Sequence, residues 1–407
     1  MKLEIDKIIE EKETEENLPK EEYDYLNIES EMNNNQDNFE EISKDSFSDV
    51  SVEDFTDTKE FLLDAGKYLL MLGIEVTPKI FSSVYKGILF LMIKIVKLLS
   101  FSISKISKFI DRHFNNFNRL KNDISNIKKS ISLLEKKNVN LDNSNLVYNN
   151  KKIIDKLKIN DSVDLTDNVK ILSSFVNEVI VSIDDRILKD LHLLKHLSDL
   201  SDNGITNSPL EVMKADKLSS NFTSNIPAEY RIDLENTISY SYRNKLPGDL
   251  LFITRLPVTS FSNIDQIVKS YTSSKMFFGV DSKNYKDINS INYMNLKDLS
   301  NLVDELDKLC NLCLSHESKF KNILNENNNL KYNIKHYFLS IININNKISI
   351  KDSLIQYYYL KYGFVDKVYL SSCDDIYNYV IAVTTYIKSY ISANLDVYLN
   401  LKDEDNT

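Results

Sequence analysis

Three groups of residues combine types and spacings that could do chemistry. His192 and His196 stand four apart in a stretch of helical periodicity, the spacing at which two imidazoles on one helix face can share a metal ion. A helix-borne zinc peptidase motif also needs a glutamate after the first histidine. Leu193 holds that position here, and no third ligand is marked. Cys310, Cys313 and His316 form C-x-x-C-x-x-H. A zinc knuckle carries such ligands on a turn, with a second pair downstream. This run instead lies in a strong helical pattern whose apolar stripe the cysteines extend, so it reads as core. Nothing beside the cysteines supplies the cationic setting that activates a thiolate. The acid pairs Asp184–Asp185 and Asp374–Asp375 read as solvated helix residues. No G-x-G occurs, and no glycine precedes Lys-Ser/Thr in P-loop order. These residues make no positive case for catalysis and imply no cofactor or metal. An enzyme using His192/His196 or the C-x-x-C-x-x-H run stays as a distant alternative.

The elements that would position such residues are helices. The 407 residues include only 7 Gly and 6 Pro, with no Trp. So few glycines allow few tight turns and few left-handed positions, which disfavours sandwiches, propellers and nucleotide-binding α/β folds. The expected fold class is mainly α: long amphipathic helices in bundle-like packing, with a small β element around 250–280. Three cysteines, Cys310, Cys313 and Cys373, make no disulfide scaffold. The acidic N-terminus lacks the apolar core of a secretory signal.

Charge is distributed unevenly. The net charge is −10, yet residues 1–53 carry 18 acids against 5 bases, a balance of −13, and residues 54–407 sum to +3. Low hydrophobicity with high like charge predicts a disordered leader of about 55 residues. Residues 79–137 hold 13 bases against 3 acids.

Within that basic segment, YKGILFLMIKIVKLLSFSISKISKFI at 85–110 looks at first like a membrane span. Its longest apolar run is six residues, 88–93, whereas a span needs about 20. Each central lysine would cost about 2.5–3.5 kcal/mol to insert. At about 100° per residue, Lys86, Lys94, Lys97, Lys105 and Lys108 fall in one arc, with Arg112 beside them. Ile88, Leu91, Met92, Ile95, Leu98, Leu99, Ile103, Ile106 and Ile110 lie opposite. The segment predicts an amphipathic helix capped at Thr77 with Pro78 in its first turn. Its basic stripe suits phosphate backbones or a membrane interface; scarce Arg and the lack of interleaved aromatics argue against base-specific reading. Downstream, Phe117, Leu120, Ile124, Ile127, Ile131 and Leu134 keep an a/d register, which predicts a helix packed on a partner helix from this chain or from another copy through 117–141.

FLLDAGKYLLMLG at 61–73 reads as a short helix, 141–150 as a loop, and 151–200 as amphipathic helices ended by SDNGITNSP at 201–209. Leu250–Thr254 and MFFGV at 276–280 predict a hairpin or small sheet inside an irregular insertion, 225–290. Helices resume at 296. The domain reading is 1–53, an acidic leader; 54–150, basic helix and heptad arm; and 151–407, helical body.

This layout resembles the virion structural (internal head) proteins of giant-genome (jumbo) tailed bacteriophages. The stretches carrying the resemblance are Tyr85-Lys86-Gly87, Leu246-Pro247-Gly248-Asp249-Leu250-Leu251-Phe252-Ile253, and Lys351-Asp352-Ser353-Leu354 leading into the Tyr-rich 357–369. The resemblance implies a non-enzymatic capsid-interior protein, made in the host cytoplasm. It further implies that a phage maturation protease removes the leader after glutamate in a small-x-Glu context, which Ser51-Val52-Glu53 matches. Implied partners are other virion proteins, that protease and, non-specifically, packaged DNA. The alternative is a peripheral membrane protein using 79–112 as an interfacial helix.

Overall fold

The computed structural model of the chain describes residues 86–137, 146–199, 222–223, 230, 237–257, 264–281, 286–343 and 359–404. The acidic leader with Ser51, Val52 and Glu53, the 61–73 helix, the Thr77–Pro78 start, the 201–209 break and Lys351-Asp352-Ser353-Leu354 lie outside the described residues.

The two helical segments expected at 79–112 and 114–141 are one helix, α1 (Lys86–Lys136), of 51 residues. No glycine or proline occurs between 88 and 136, so nothing breaks the hydrogen-bond ladder over about 75 Å. One apolar line runs its length. Ile95, Leu99, Ile106, Ile110, Phe117, Leu120, Ile124, Ile131 and Leu134 are buried, and Ile127 is partly so. The a/d register therefore marks a real packing face, and its partner is in the same chain: α6 (Leu296–Ser315) and α7 (Glu317–Asn343) pack along α1.

After α1 come β1 (Val147–Tyr148), α2 (Lys151–Leu157) and α3 (Leu165–Phe175). A π-helical turn, Val176–Ile180, joins α3 to α4 (Val181–Asp199). Asn150 and Asp164 cap α2 and α3: their side-chain oxygens accept from the Ile153 amide (3.4 Å) and the Asp167 amide (2.9 Å). Near the C-terminus a helical run over 359–364 and a second π turn, Val365–Leu370, lead into α8 (Ser371–Glu404). α7 also packs on α4, α6 on α3, and α8 on α1 and α2. The resulting fold is mainly α, and the described residues of the segment separated as 54–150 share one core with the helices of 151–407.

The β element is larger than a hairpin. β2 (Phe222–Thr223), β3 (Thr237–Tyr242), β4 (Leu250–Pro257) and β5 (Lys275–Val280) form an antiparallel sheet in that order. The two runs expected to pair do so, with Phe252 opposite Phe278. Their connection is not a tight turn but carries α5 (Ile264–Ser273). Residues 147–148, read as loop, pair with β6 (Ile291–Asn292). Phe175 anchors the sheet to the helices, with ring centroids 5.2 Å from both Tyr242 and Phe252.

The Leu246-Pro247-Gly248-Asp249 stretch is a turn with two left-handed residues, Gly248 at φ +83° and Asp249 at φ +56°. It is fastened to the α2–α3 connection. The Gly248 and Asp249 amides both donate to the Lys158 carbonyl, at 2.9 and 3.2 Å. The buried Asp249 carboxylate accepts from the Asn160 amide at 2.6 Å. Tyr379 on α8 donates to the Pro247 carbonyl at 2.9 Å.

Candidate functional site

Two acid–histidine pairs with buried histidines lie where α1, α4, the α6–α7 junction and the start of α8 meet. His113 is on the apolar line of α1, five turns from Ile95 and five from Ile131, and is fully buried. Its Nε2 lies 2.7 Å from Asp374 Oδ1 on α8. With that nitrogen donating, Nδ1 keeps its lone pair and has no hydrogen-bond partner. Burial lowers the His113 pKa, and the Asp374 carboxylate opposes this only in part. Burial also works against the Asp374 charge, but His113 and Arg112 outweigh it and hold the carboxyl below its usual range. Arg112 pairs directly with Asp374.

A second pair sits beside the first. His316 ends α6, and its Nδ1 lies 3.0 Å from Asp184 Oδ2 on α4. Both are buried, and Asp184 is fully so. Burial pushes the Asp184 pKa up, against the pull of His316. The expectation of a solvated Asp184 is thus corrected. Its spacing after Ile180 and before Ile187 and Leu191 is the core phase of α4, and His316 is the partner that admits a carboxylate there. Asp185 is exposed and pairs with Lys319 at 3.2 Å. Asp374 is likewise engaged rather than merely solvated. Phe109 and Tyr377 pack against the His113 ring and, with Phe320, against one another; Phe109 lies 4.4 Å from Phe320 and 5.2 Å from Tyr377 by ring centroids.

Cys310, Cys313 and Cys373 are free and buried. Burial pushes the Cys310 thiol up to about 11 and raises Cys313 and Cys373 well above the ordinary thiol value. Cys310 donates to the Phe117 carbonyl at 3.1 Å. Cys310 and Cys313 extend the apolar stripe of α6 while His316 turns to Asp184, so C-x-x-C-x-x-H does not converge. His192 is exposed, 3.8 Å from Glu326 on α7; the His196 side chain lies outside those described. Among the described residues no group of three or more His, Cys, Asp or Glu is placed to hold a metal ion.

The basic stripe is divided. Its edge nearest the core is engaged inside the chain: Arg112 with Asp374, and Lys105 with Ser371 Oγ (2.8 Å) and Asp366 (4.0 Å). Buried Ser102 donates to the same Asp366 at 2.7 Å. The reason is phase, because Lys105 and Arg112 lie where the stripe meets the buried arc and α8 passes alongside. Lys97 is half-buried and Lys108 exposed, and neither is without a partner. The Lys86 and Lys94 side chains lie outside those described. Lys86, Lys97, Lys108 and Arg119 recur every eleven residues, close to three helical turns, so they share one line along α1. Farther along, Lys128 pairs with Asp304 (2.9 Å) and Asp307 (2.8 Å) of α6, and Asp123 with Lys388 of α8 (2.7 Å).

Sequence reading also missed a third buried pair. Lys361 lies 3.0 Å from Asp190 on α4 and donates to Tyr271 Oη at 3.4 Å. Burial works against its charge, but Tyr271 and Asp190 outweigh it and raise the pKa. Together the buried pairs fix helix positions, since each joins elements far apart in sequence. No described helix is long and apolar enough to cross a membrane. Comparison of the chain with protein-family models, with curated proteins and with solved structures gave no match.

Proposed function

We propose that the chain is a non-enzymatic structural component of a phage particle, housed in the capsid interior and matured by removal of its acidic leader after Glu53. The observation that carries this reading is the partition of charge: −13 within residues 1–53 and +3 in the remainder, with Ser51-Val52-Glu53 at the boundary. Cleavage there would convert an acidic precursor into a mildly basic body. The leader would screen the cationic ridge of α1 during assembly, and its loss would leave a body tolerant of packaged DNA. The buried acid and histidine pairs suit a structural role, since they spend their hydrogen bonds on helix placement.

The membrane-surface reading is weaker. From Ile95 onward the apolar side of α1, which an interfacial helix would lay into lipid, is packed on the chain's own helices. Self-association through 117–141 would likewise have to displace α6 and α7.

Peptide mapping of purified particles tests the proposal. The expected result is the chain present in intact particles with its first residue at Asp54. A chain beginning at Met1 inside mature particles would remove the processing claim, and absence from particles would remove the assignment. Flotation of the chain with anionic liposomes would favour the membrane reading instead.

A further inference from the structure

On β4 and β5, Arg255 and Lys275 stand directly opposite one another, so their side chains project from the same face of the sheet. Like charges in that position repel. Arg255 is buried, with 2% of its surface exposed, while Lys275 is exposed. Among the described residues no carboxylate pairs with either. Among the described residues the Arg255 guanidinium makes two long hydrogen bonds: Nε to Ser239 Oγ and Nη2 to the Tyr230 carbonyl, both at 3.4 Å. These occupy two of its five N–H groups. Burial pushes its pKa down, with no neighbouring anion to offset the shift. The Lys275 ammonium lies 4.6 Å over the Phe277 ring, which leaves its charge on this face of the sheet. Every other buried cation described above has an acidic partner, as Lys361 has Asp190.

We propose that Arg255, Lys275 and the Ser239 hydroxyl form a binding site for a dianionic phosphate group. A fork of guanidinium donors, an ammonium and a hydroxyl match the oxygens of a tetrahedral oxyanion. The two positive charges match the charge of about −1.5 to −2 that a phosphate monoester carries at neutral pH. A backbone phosphodiester or a carboxylate, with one charge each, would leave one cation unneutralised. The phosphate therefore comes from the free anion or from a monoester such as a nucleic-acid 5′ end. Such a site does not depend on the chain being a particle component.

Calorimetric titration of the full chain with inorganic phosphate in a low-salt, non-phosphate buffer tests it. Saturable binding is expected, competed by sulfate but not by chloride at equal ionic strength. Lys275→Ala, at an exposed position that should leave the fold intact, is expected to weaken binding roughly tenfold, the worth of one charged hydrogen bond. Arg255→Gln is expected to abolish it. An oligothymidylate with a 5′ phosphate that binds more tightly than inorganic phosphate, and more tightly than its 5′-hydroxyl counterpart, would assign the group to a nucleic-acid end; otherwise the free anion is the ligand. Absence of saturable phosphate binding, or binding that Lys275→Ala leaves unchanged, would overturn the proposal whether or not Arg255→Gln folds.

Discussion

His113 Nε2 and Asp374 Oδ1 lie 2.7 Å apart, joining the middle of α1 to the first turn of α8 across 261 residues of sequence. Because burial lowers the histidine pKa from 6.5, the unfolded chain takes up a proton at a higher pH than the folded one. Stability is then complete above about 6.5 and falls as the pH drops from there toward the folded-state value. His113→Phe removes this titration while keeping a ring beside Phe109 and Tyr377. Urea unfolding at pH 7.5 and pH 5 should show a smaller loss of stability on acidification in the variant than in the parent. An equal loss in both would mean that His113 does not set the acid limb.

The Asp184–His316 pair is more deeply placed, and removing one partner strands the other. Asp184→Ala should cost about 3–5 kcal/mol, the usual penalty for breaking a buried charged pair. Asp184→Asn retains an acceptor for His316 and should cost less. Denaturant midpoints of the two variants check the order.

Phe117 and Leu133 separate the packed and open faces of α1. Phe117 is fully buried, whereas Leu133 keeps 58% of its surface exposed. Phe117→Ala should lose about 3–5 kcal/mol. Leu133→Ala should stay within about 0.5 kcal/mol of the parent. Comparable losses at both positions would contradict the placement of α6 and α7 on the heptad face.

Two glycines should respond with opposite signs to the same substitution. Gly248 holds φ +83° and a methyl group there would sit 3.4 Å from the Lys156 carbonyl, so Gly248→Ala should destabilise by about 1–2 kcal/mol. Gly363 is helical, with nothing within 4 Å of an added methyl group. Gly363→Ala should therefore stabilise by about 0.5–1 kcal/mol. Thermal melting of both variants is sufficient.

Much of the helical architecture was legible because it rests on periodicity. The line from Phe117 to Leu134 and the stripe from Leu299 through Cys313 to Ile323 are buried as their spacing requires. The irregular insertion was only half legible. β4 and β5 announced themselves through apolar runs, while β3, with Thr237, Ser239 and Ser241 alternating with Ile238, Tyr240 and Tyr242, carried a period-two signal that went unread. The polar interior was the least legible. A charge on a helix reads as solvated until its phase is compared with its apolar neighbours. That comparison would have marked His113 and Asp184, both of which sit in core register. Their partners, Asp374 and His316, are set by tertiary packing and leave no local trace. Arg255 escaped notice for a related reason, since its burial depends on which strands flank it.

The two π turns, Val176–Ile180 and Val365–Leu370, each hold one more residue than an α-helical turn would. Deleting a single residue within either would turn the wide turn into an α-helical one and leave the downstream helix in its present phase. The same deletion in the regular helix just beyond, before Asp184 or before Asp374, would rotate everything downstream by about 100°, swinging Asp184 away from His316 in the first case and Asp374 away from His113 in the second. The wide turns are therefore the two places along these helices where loss of a single codon should be tolerated best.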